Sequence, residues 1–192
     1  MAEDGAELNE AMDRYAGGDD RAFDALYRLI SPRLYGFCLR LTARRSEADD
    51  VLQETFLKMH RSRATYVAGS VALHWVFAIA RSVYLDRLRY KKRRPEDLTE
   101  TTEGAEAFSD VAGSFASPES TAEARELMVV IQKVIEGLPE NQRTAFLLLK
   151  TEGLSVAEAA AILGTTPTAV KLRAHRAYEA IRAALGQEGG SP

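Results

Sequence analysis

Leu154-Ser155-Val156-Ala157-Glu158-Ala159-Ala160-Ala161-Ile162-Leu163-Gly164-Thr165-Thr166-Pro167-Thr168-Ala169-Val170-Lys171 is the stretch whose reading decides the fold. Ser155 with Glu158 three residues on is a capping box, each side chain satisfying a free backbone N–H of the other's turn. The helix it opens carries Ala159, Ala160 and Ala161, small enough for another helix to approach closely. Gly164 stands where the chain needs a positive φ. Thr165 or Thr166 caps the next helix, and Pro167 fits its first turn, where a missing N–H costs nothing.

Two short helices joined in this way are the layout of a DNA-reading helix-turn-helix, whose second helix enters the major groove by its N-terminal end. Ala169, Val170, Leu172, Ala177 and Ile181 are the mostly inward candidates, and Lys171, Arg173, His175, Arg176 and Arg182 punctuate the helix with basic groups. Lys171 and Arg176 suit guanine edges or phosphates, and Thr166 and Thr168 lie near the positive end of the helix dipole. A plain helical hairpin packed only on protein is the bland alternative.

Working outward, helix signals recur at 121–136, 139–151, 155–162 and 166–184, so the second domain spans 121–185, with 186–192 as a tail. Upstream, residues 95–120 hold few large apolar side chains and read as a flexible acidic linker. Upstream again, residues 21–94 follow helical periodicity. Phe23, Leu26, Tyr27, Ile30, Leu34, Phe37 and Leu41 draw one stripe. Pro32 interrupts it and is expected to start a new turn, with Ser31 as N-cap. Val51, Leu52, Thr55, Phe56 and Met59 form a second amphipathic run, residues 61–70 a loop, and Val71–Leu88 a third run ending in Arg89-Tyr90-Lys91-Lys92-Arg93-Arg94. Residues 1–20 are acidic and weakly patterned. The fold class is all-α: two small helical domains joined by an acidic linker.

The net charge of −3 hides a segregation. Residues 1–20 carry net −6, residues 21–94 net +10, residues 95–126 net −8 and residues 127–192 net +1. A basic segment between acidic ones is the footprint of a domain that faces phosphate, the alternative being a solvated face. The composition, 46% hydrophobic and 28% charged, is that of a globular chain. One cysteine, Cys38, excludes an internal disulfide or a cysteine-based zinc site. It lies among Leu34, Phe37 and Leu41, which favours burial over catalysis. The N-terminus lacks the apolar core of a secretory signal, and no apolar stretch approaches the roughly 20 residues of a membrane span. No phosphate loop, His-Glu-x-x-His or nucleophile elbow occurs, so the chain reads as no enzyme, with no cofactor. A zinc site from the widely spaced His60, His74 and His175 is a remote alternative.

Residues 71–94 mix His74, Trp75, Phe77, Tyr84 and Tyr90 with seven Lys and Arg. Aromatic faces stack unpaired bases while cations hold the strand. Trp75, Phe77, Ile79 and Val83 read first as core, with Trp75 serving both purposes. Asp86 beside Arg87 and Arg89 reads as a local ion pair.

Three ordered motifs resemble the sigma factors of bacterial RNA polymerase, most closely the extracytoplasmic-function group. Glu47–Lys58 resembles the family's core-polymerase-binding helix. Trp75–Arg81 with Asp86–Arg89 resembles its promoter-melting segment. Leu138–Arg143, Glu152–Ser155, Leu163-Gly164 and Val170-Lys171 resemble its C-terminal domain. The likeness covers about residues 20–94 and 122–183. It implies that Asp49, Asp50, Gln53 and Glu54 dock on the β′ clamp helices of the polymerase, with the β flap as a further contact. It implies that the loop 61–70 and the start of the next helix capture a flipped base of the −10 element, with Arg81, Arg87 and Arg89 holding the strands near it and Trp75 and Ser82 among the −10-binding residues. It implies that Thr166, Thr168, Lys171, Leu172, Arg173, His175 and Arg176 read the −35 element. The linker falls where the family threads the polymerase cleft. An anti-sigma protein is the implied inhibitor, and the implied location is the cytoplasm. Ser82 departs from the family's Asn, and Ala169 and Leu172 from its Thr and Ser, which bears on the base sequences read. A free-standing helix-turn-helix regulator is the rival reading, using residues 127–185 alone, and a pure protein-interaction scaffold is a third.

Overall fold

The computed structural model describes residues 2–93 and 122–188. These form two compact units, residues 2–38 with 48–93 and residues 39–47 with 122–188. Eight α-helices and one short 3-10 turn, with no strand, make up the described residues: α1 Ala2–Ala16, α2 Ala22–Thr42, α3 Arg45–Ser62, the 3-10 turn Arg63–Thr65, α4 Ala72–Arg93, α5 Ala122–Gly137, α6 Glu140–Lys150, α7 Val156–Leu163 and α8 Pro167–Glu188. The expected linker lies outside the described residues.

In the first unit, the apolar stripes read from the sequence become its core. Leu26, Ile30, Leu34 and Phe37 of α2, Val51 and Met59 of α3, and Val76, Phe77, Ala80 and Val83 of α4 are all buried. Phe37 and Phe77 stack with ring centres 4.8 Å apart. Cys38 is buried.

Two expectations are corrected. Pro32 does not start a new turn: α2 runs through it without a break. Ser31 is no cap, and its hydroxyl donates to the Tyr27 carbonyl one turn back. The proline removes one backbone donor, but Ile30 and Leu34 on either side are fully buried, and that packing holds the helix where local propensity would end it. The acidic N-terminal segment is likewise not featureless. It forms α1, which packs on α4 and buries Leu8, Ala11, Met12 and Tyr15 at helical spacing. Its end is marked by Gly18 at φ +102° and by Arg14, whose guanidinium meets the Asp19 carboxylate at 2.6 Å. That ion pair holds the Asp19 carboxyl below the usual range.

In the second unit, α8 is the central helix, packed by α5, α6 and α7. Ile135, Leu138, Ala177 and Ile181 form one buried cluster, flanked by Ile131, Val134 and Phe146. Arg143 of α6 donates to the carbonyls of Glu136 and Leu138, closing the end of α5. Burial raises the Glu136 carboxyl, with its hydrogen bond from Gln132 and the charge of Arg143 acting against it.

Candidate nucleic-acid and partner interfaces

The helix-turn-helix is built as its residues require. Ser155 Oγ accepts from Glu158 N at 3.2 Å, and Glu158 Oε2 accepts from Ser155 N at 2.7 Å. Gly164 takes φ +58° and ψ +44°, the left-handed region, and Thr165 N returns to Ala160 O at 3.0 Å. Thr166 is the N-cap of α8, its Oγ1 accepting from Ala169 N at 3.2 Å. Buried Val170, Ala177 and Ile181 anchor α8. Its other face leaves Thr166, Thr168, Lys171, Leu172, His175 and Arg176 exposed and Arg173 half-buried. Leu172 is therefore not an inward residue, as periodicity alone suggested: it is 49% exposed. The two-residue step from Val170 to Leu172, at about 100° per residue, carries it about 200° around the helix and off the anchored face.

In the first unit, α3 divides sharply. Ala48, Val51, Thr55, Phe56 and Met59 are buried, while Asp49, Asp50, Gln53 and Glu54 are exposed together on the opposite side. Beside Asp49 and Gln53 lies an open apolar groove of about 470 Å³, lined mainly by Tyr15, Phe23, Tyr27, Leu52, Phe56 and Leu57. The periodic stripe counted Phe23 and Tyr27 as core, yet Tyr27 is 44% exposed. At one end of the groove, the Tyr15 hydroxyl meets His60 Nδ1 at 2.5 Å.

Along α4 one acid, Asp86, stands among the cations. Arg87 does not pair with Asp86. Its guanidinium reaches α3, where it bonds Asp50 and lies 3.5 Å from Glu54. Asp86 instead takes Arg89 at 2.7 Å and Lys58 at 3.4 Å. Lys58 Nζ also donates to Ser82 Oγ at 2.9 Å. The acidic face of α3 and the basic face of α4 are thus one continuous polar surface. Trp75 is half-buried, its ring set edge-on to Tyr66 at 5.3 Å, while Phe77, Ile79 and Val83 are core. Arg81 is half-buried on α4; Arg89, Tyr90, Lys92 and Arg93 are exposed and helical. No group of three His, Cys, Asp or Glu placed to hold a metal occurs among the described residues, and none of their helices is long and apolar enough to cross a membrane.

Two residues absent from the sequence reading stand behind this surface. Asp13 Oδ1 accepts from Gly69 N at 3.0 Å, and Asn9 Oδ1 accepts from Ala72 N at 2.9 Å. Sequence spacing carries no trace of these contacts, which span more than fifty residues.

Residues 26–94 match the Sigma-70 region 2 family, and residues 128–181 match Sigma-70, region 4. The chain is 34% identical over 176 residues to the RNA polymerase sigma factor CarQ of Myxococcus xanthus, covering 92% of this chain and 96% of that one. It is 33% identical over 178 residues to the RNA polymerase sigma-H factor of Pseudomonas aeruginosa, covering 92% of each. It is 30% identical over 172 residues to the ECF RNA polymerase sigma factor SigW of Bacillus subtilis, covering 88% of this chain and 91% of that one. Its fold is shared with CnrH, solved in complex with the cytosolic domain of CnrY, at a TM-score of 0.69 and 21% identity, over 96% of this chain and 99% of that one. It is shared too with RpoE, solved with the anti-sigma factor NepR from Bartonella quintana, at a TM-score of 0.65 and 24% identity, over 85% and 96%. With both halves matched in the family's order and relatives alike over almost their whole length, the chain belongs to the extracytoplasmic-function sigma factors of bacterial RNA polymerase.

Proposed function

We propose that the chain directs transcription initiation with its own surfaces divided between polymerase and promoter. Asp49, Asp50, Gln53 and Glu54 dock on the β′ clamp helices, and the second unit meets the β flap. Trp75, Arg81, Ser82, Arg87 and Arg89 engage the −10 element as the duplex opens. Thr166, Thr168, Lys171, Leu172, Arg173, His175 and Arg176 engage the −35 element. The chain performs no covalent chemistry, works in the cytoplasm and is held inactive by an anti-sigma protein, as the neighbouring complexes with CnrY and NepR suggest.

One observation carries this reading: a single chain exposes an acidic helix face, a cationic aromatic helix beside it and, in its second unit, a capped helix with an exposed basic face. A free-standing regulator needs only the last. The test is run-off transcription with purified chain and core polymerase. Initiation at a defined site that depends on the chain is expected; protection of DNA by the chain alone, with no effect of core polymerase, overturns the reading.

A further inference from the structure

The link between the 3-10 turn and α4 is held from outside by the N-terminal helix. Ser70 N donates to Val67 O at 3.1 Å, and Gly69 adopts φ +78°, whereas Ala68 is not in the positive region. A positive φ at the third residue only is the pattern of a type II turn. The turn's own hydrogen bond leaves the Gly69 N–H unused, and Asp13 Oδ1 takes it at 3.0 Å. The Ala72 N–H, at the start of α4, also has no partner within its helix, and Asn9 Oδ1 takes it at 2.9 Å. Asn9 and Asp13 are four residues apart, on one face of α1. Beneath the turn, the Tyr66 hydroxyl donates to Ser70 O at 2.6 Å, and the Tyr66 ring meets Trp75. Val67, at the tip, is 70% exposed.

We infer that Asn9 and Asp13 are positioning residues for promoter recognition, holding the Val67–Ser70 turn and the start of α4 in the one pose that selects a −10 base. The inference rests on the assignment of this segment to the −10 element made above. A short exposed turn kept only by its own hydrogen bond samples several poses. Two acceptors supplied by a separate helix remove that freedom beforehand, so ordering the turn is not charged against binding of the base. Discrimination between bases depends on fixed geometry around the pocket, because a loose site relaxes around the wrong base as readily as the right one. The acidic N-terminal segment thereby acquires a role that its charge did not reveal: it templates the recognition turn.

The test uses the full chain with core polymerase and a set of promoters carrying single-base changes in the −10 element. Asp13→Ala and Asn9→Ala are each expected to lower the preference for the best −10 base over its substitutes by about five- to tenfold. Affinity for core polymerase and preference at the −35 element stay unchanged. Asp13→Asn and Asn9→Asp keep an acceptor oxygen at the same place and restore most of the preference. Amide exchange at Gly69 and Ala72 speeds up in the corresponding alanine variants. Unchanged −10 preference in both alanine variants overturns the inference. So does Asp13→Asn behaving as badly as Asp13→Ala, or an equal loss of polymerase affinity and −10 preference. A wild-type chain that starts nowhere with core polymerase sinks the promoter assignment and this inference together; a wild-type chain that initiates normally while its variants discriminate as well sinks the positioning role alone.

Discussion

Arg87 on α4 binds Asp50 on α3, and the same guanidinium lies 3.5 Å from Glu54, one turn further along. A residue assigned to DNA is therefore held, in the isolated chain, by two residues assigned to the polymerase. All three side chains are partly exposed, so the pair contributes at most about 1 kcal/mol to stability. Replacing Asp50 with Asn and Glu54 with Gln is expected to move the unfolding free energy by no more than about 1 kcal/mol. Affinity for core polymerase should fall by about tenfold or more as its basic surface loses both partners. Denaturant unfolding and a polymerase-binding titration check the two halves, and a large loss of stability with intact binding is the outcome that contradicts the assignment.

Trp75 packs edge-on against Tyr66 with part of its ring exposed. Stacking of a base on an aromatic ring contributes about 1–3 kcal/mol. Trp75→Ala is therefore expected to reduce open-complex formation by about five- to a hundredfold, with polymerase binding little changed. Strand opening followed by a fluorescent base analogue beside the −10 element, set against binding of the same variant, separates the two. Parallel losses indicate damage to the first unit's core.

Gly164 joins α7 to α8 at φ +58°, and a Cβ built there meets nothing within 4 Å. Any cost of Gly164→Ala is thus backbone conformation alone, about 1–2 kcal/mol for a left-handed residue. Ser155→Ala removes the capping box at the other end of α7, for about 1 kcal/mol. Thermal melting of each variant is expected to show these losses. A neutral Gly164→Ala means that the turn relaxes to another conformation.

Lys171 and Arg176 are exposed on α8. If they neutralise phosphates, Lys171→Ala and Arg176→Ala each flatten the salt dependence of promoter binding by the holoenzyme, by about one unit of slope. Leu172→Ser acts differently, changing which base is preferred at one −35 position because an apolar side chain contacts a thymine methyl and a hydroxyl does not. Binding measured at several salt concentrations on promoters altered at single −35 positions tells these apart.

Burial, followed by the neighbouring Asp13 carboxylate, pushes the Tyr66 hydroxyl up to about 12. The folded state therefore keeps a proton that the unfolded chain loses near pH 10. The stability contributed by neutral Tyr66 is fully present below that pH and is lost as pH rises toward 12. Tyr66→Phe has nothing to titrate, so its alkaline loss of stability is expected to be shallower than that of the wild type between pH 10 and 12. Superimposable pH profiles count against the buried, acid-flanked placement of Tyr66.

What residue order alone determined is what repeats along the chain. The apolar stripes of α2, α3 and α4, the capping box of Ser155 and Glu158, the left-handed Gly164 and a threonine cap at 165 or 166 are set by neighbours three or four residues away; the structure holds them, with Thr166 as the cap and with Tyr27 of the α2 stripe left exposed. The exposed acidic face of α3 follows from the same periodicity, because a helix that buries Val51, Thr55 and Met59 leaves Asp50 and Glu54 outside. Tertiary structure decided the rest, for one physical reason: contacts between distant segments leave no period to read. Burial of Ile30 and Leu34 carries α2 through Pro32 against its local preference. Leu8, Ala11, Met12 and Tyr15, set among five acids, become the buried face of α1 because α4 receives them. Leu172 faces outward because Val170 and Ala177 are the residues that α8's neighbours bury. The bonds from Asp13 to Gly69, Asn9 to Ala72 and Arg87 to Asp50 exist only once the helices of the first unit are packed.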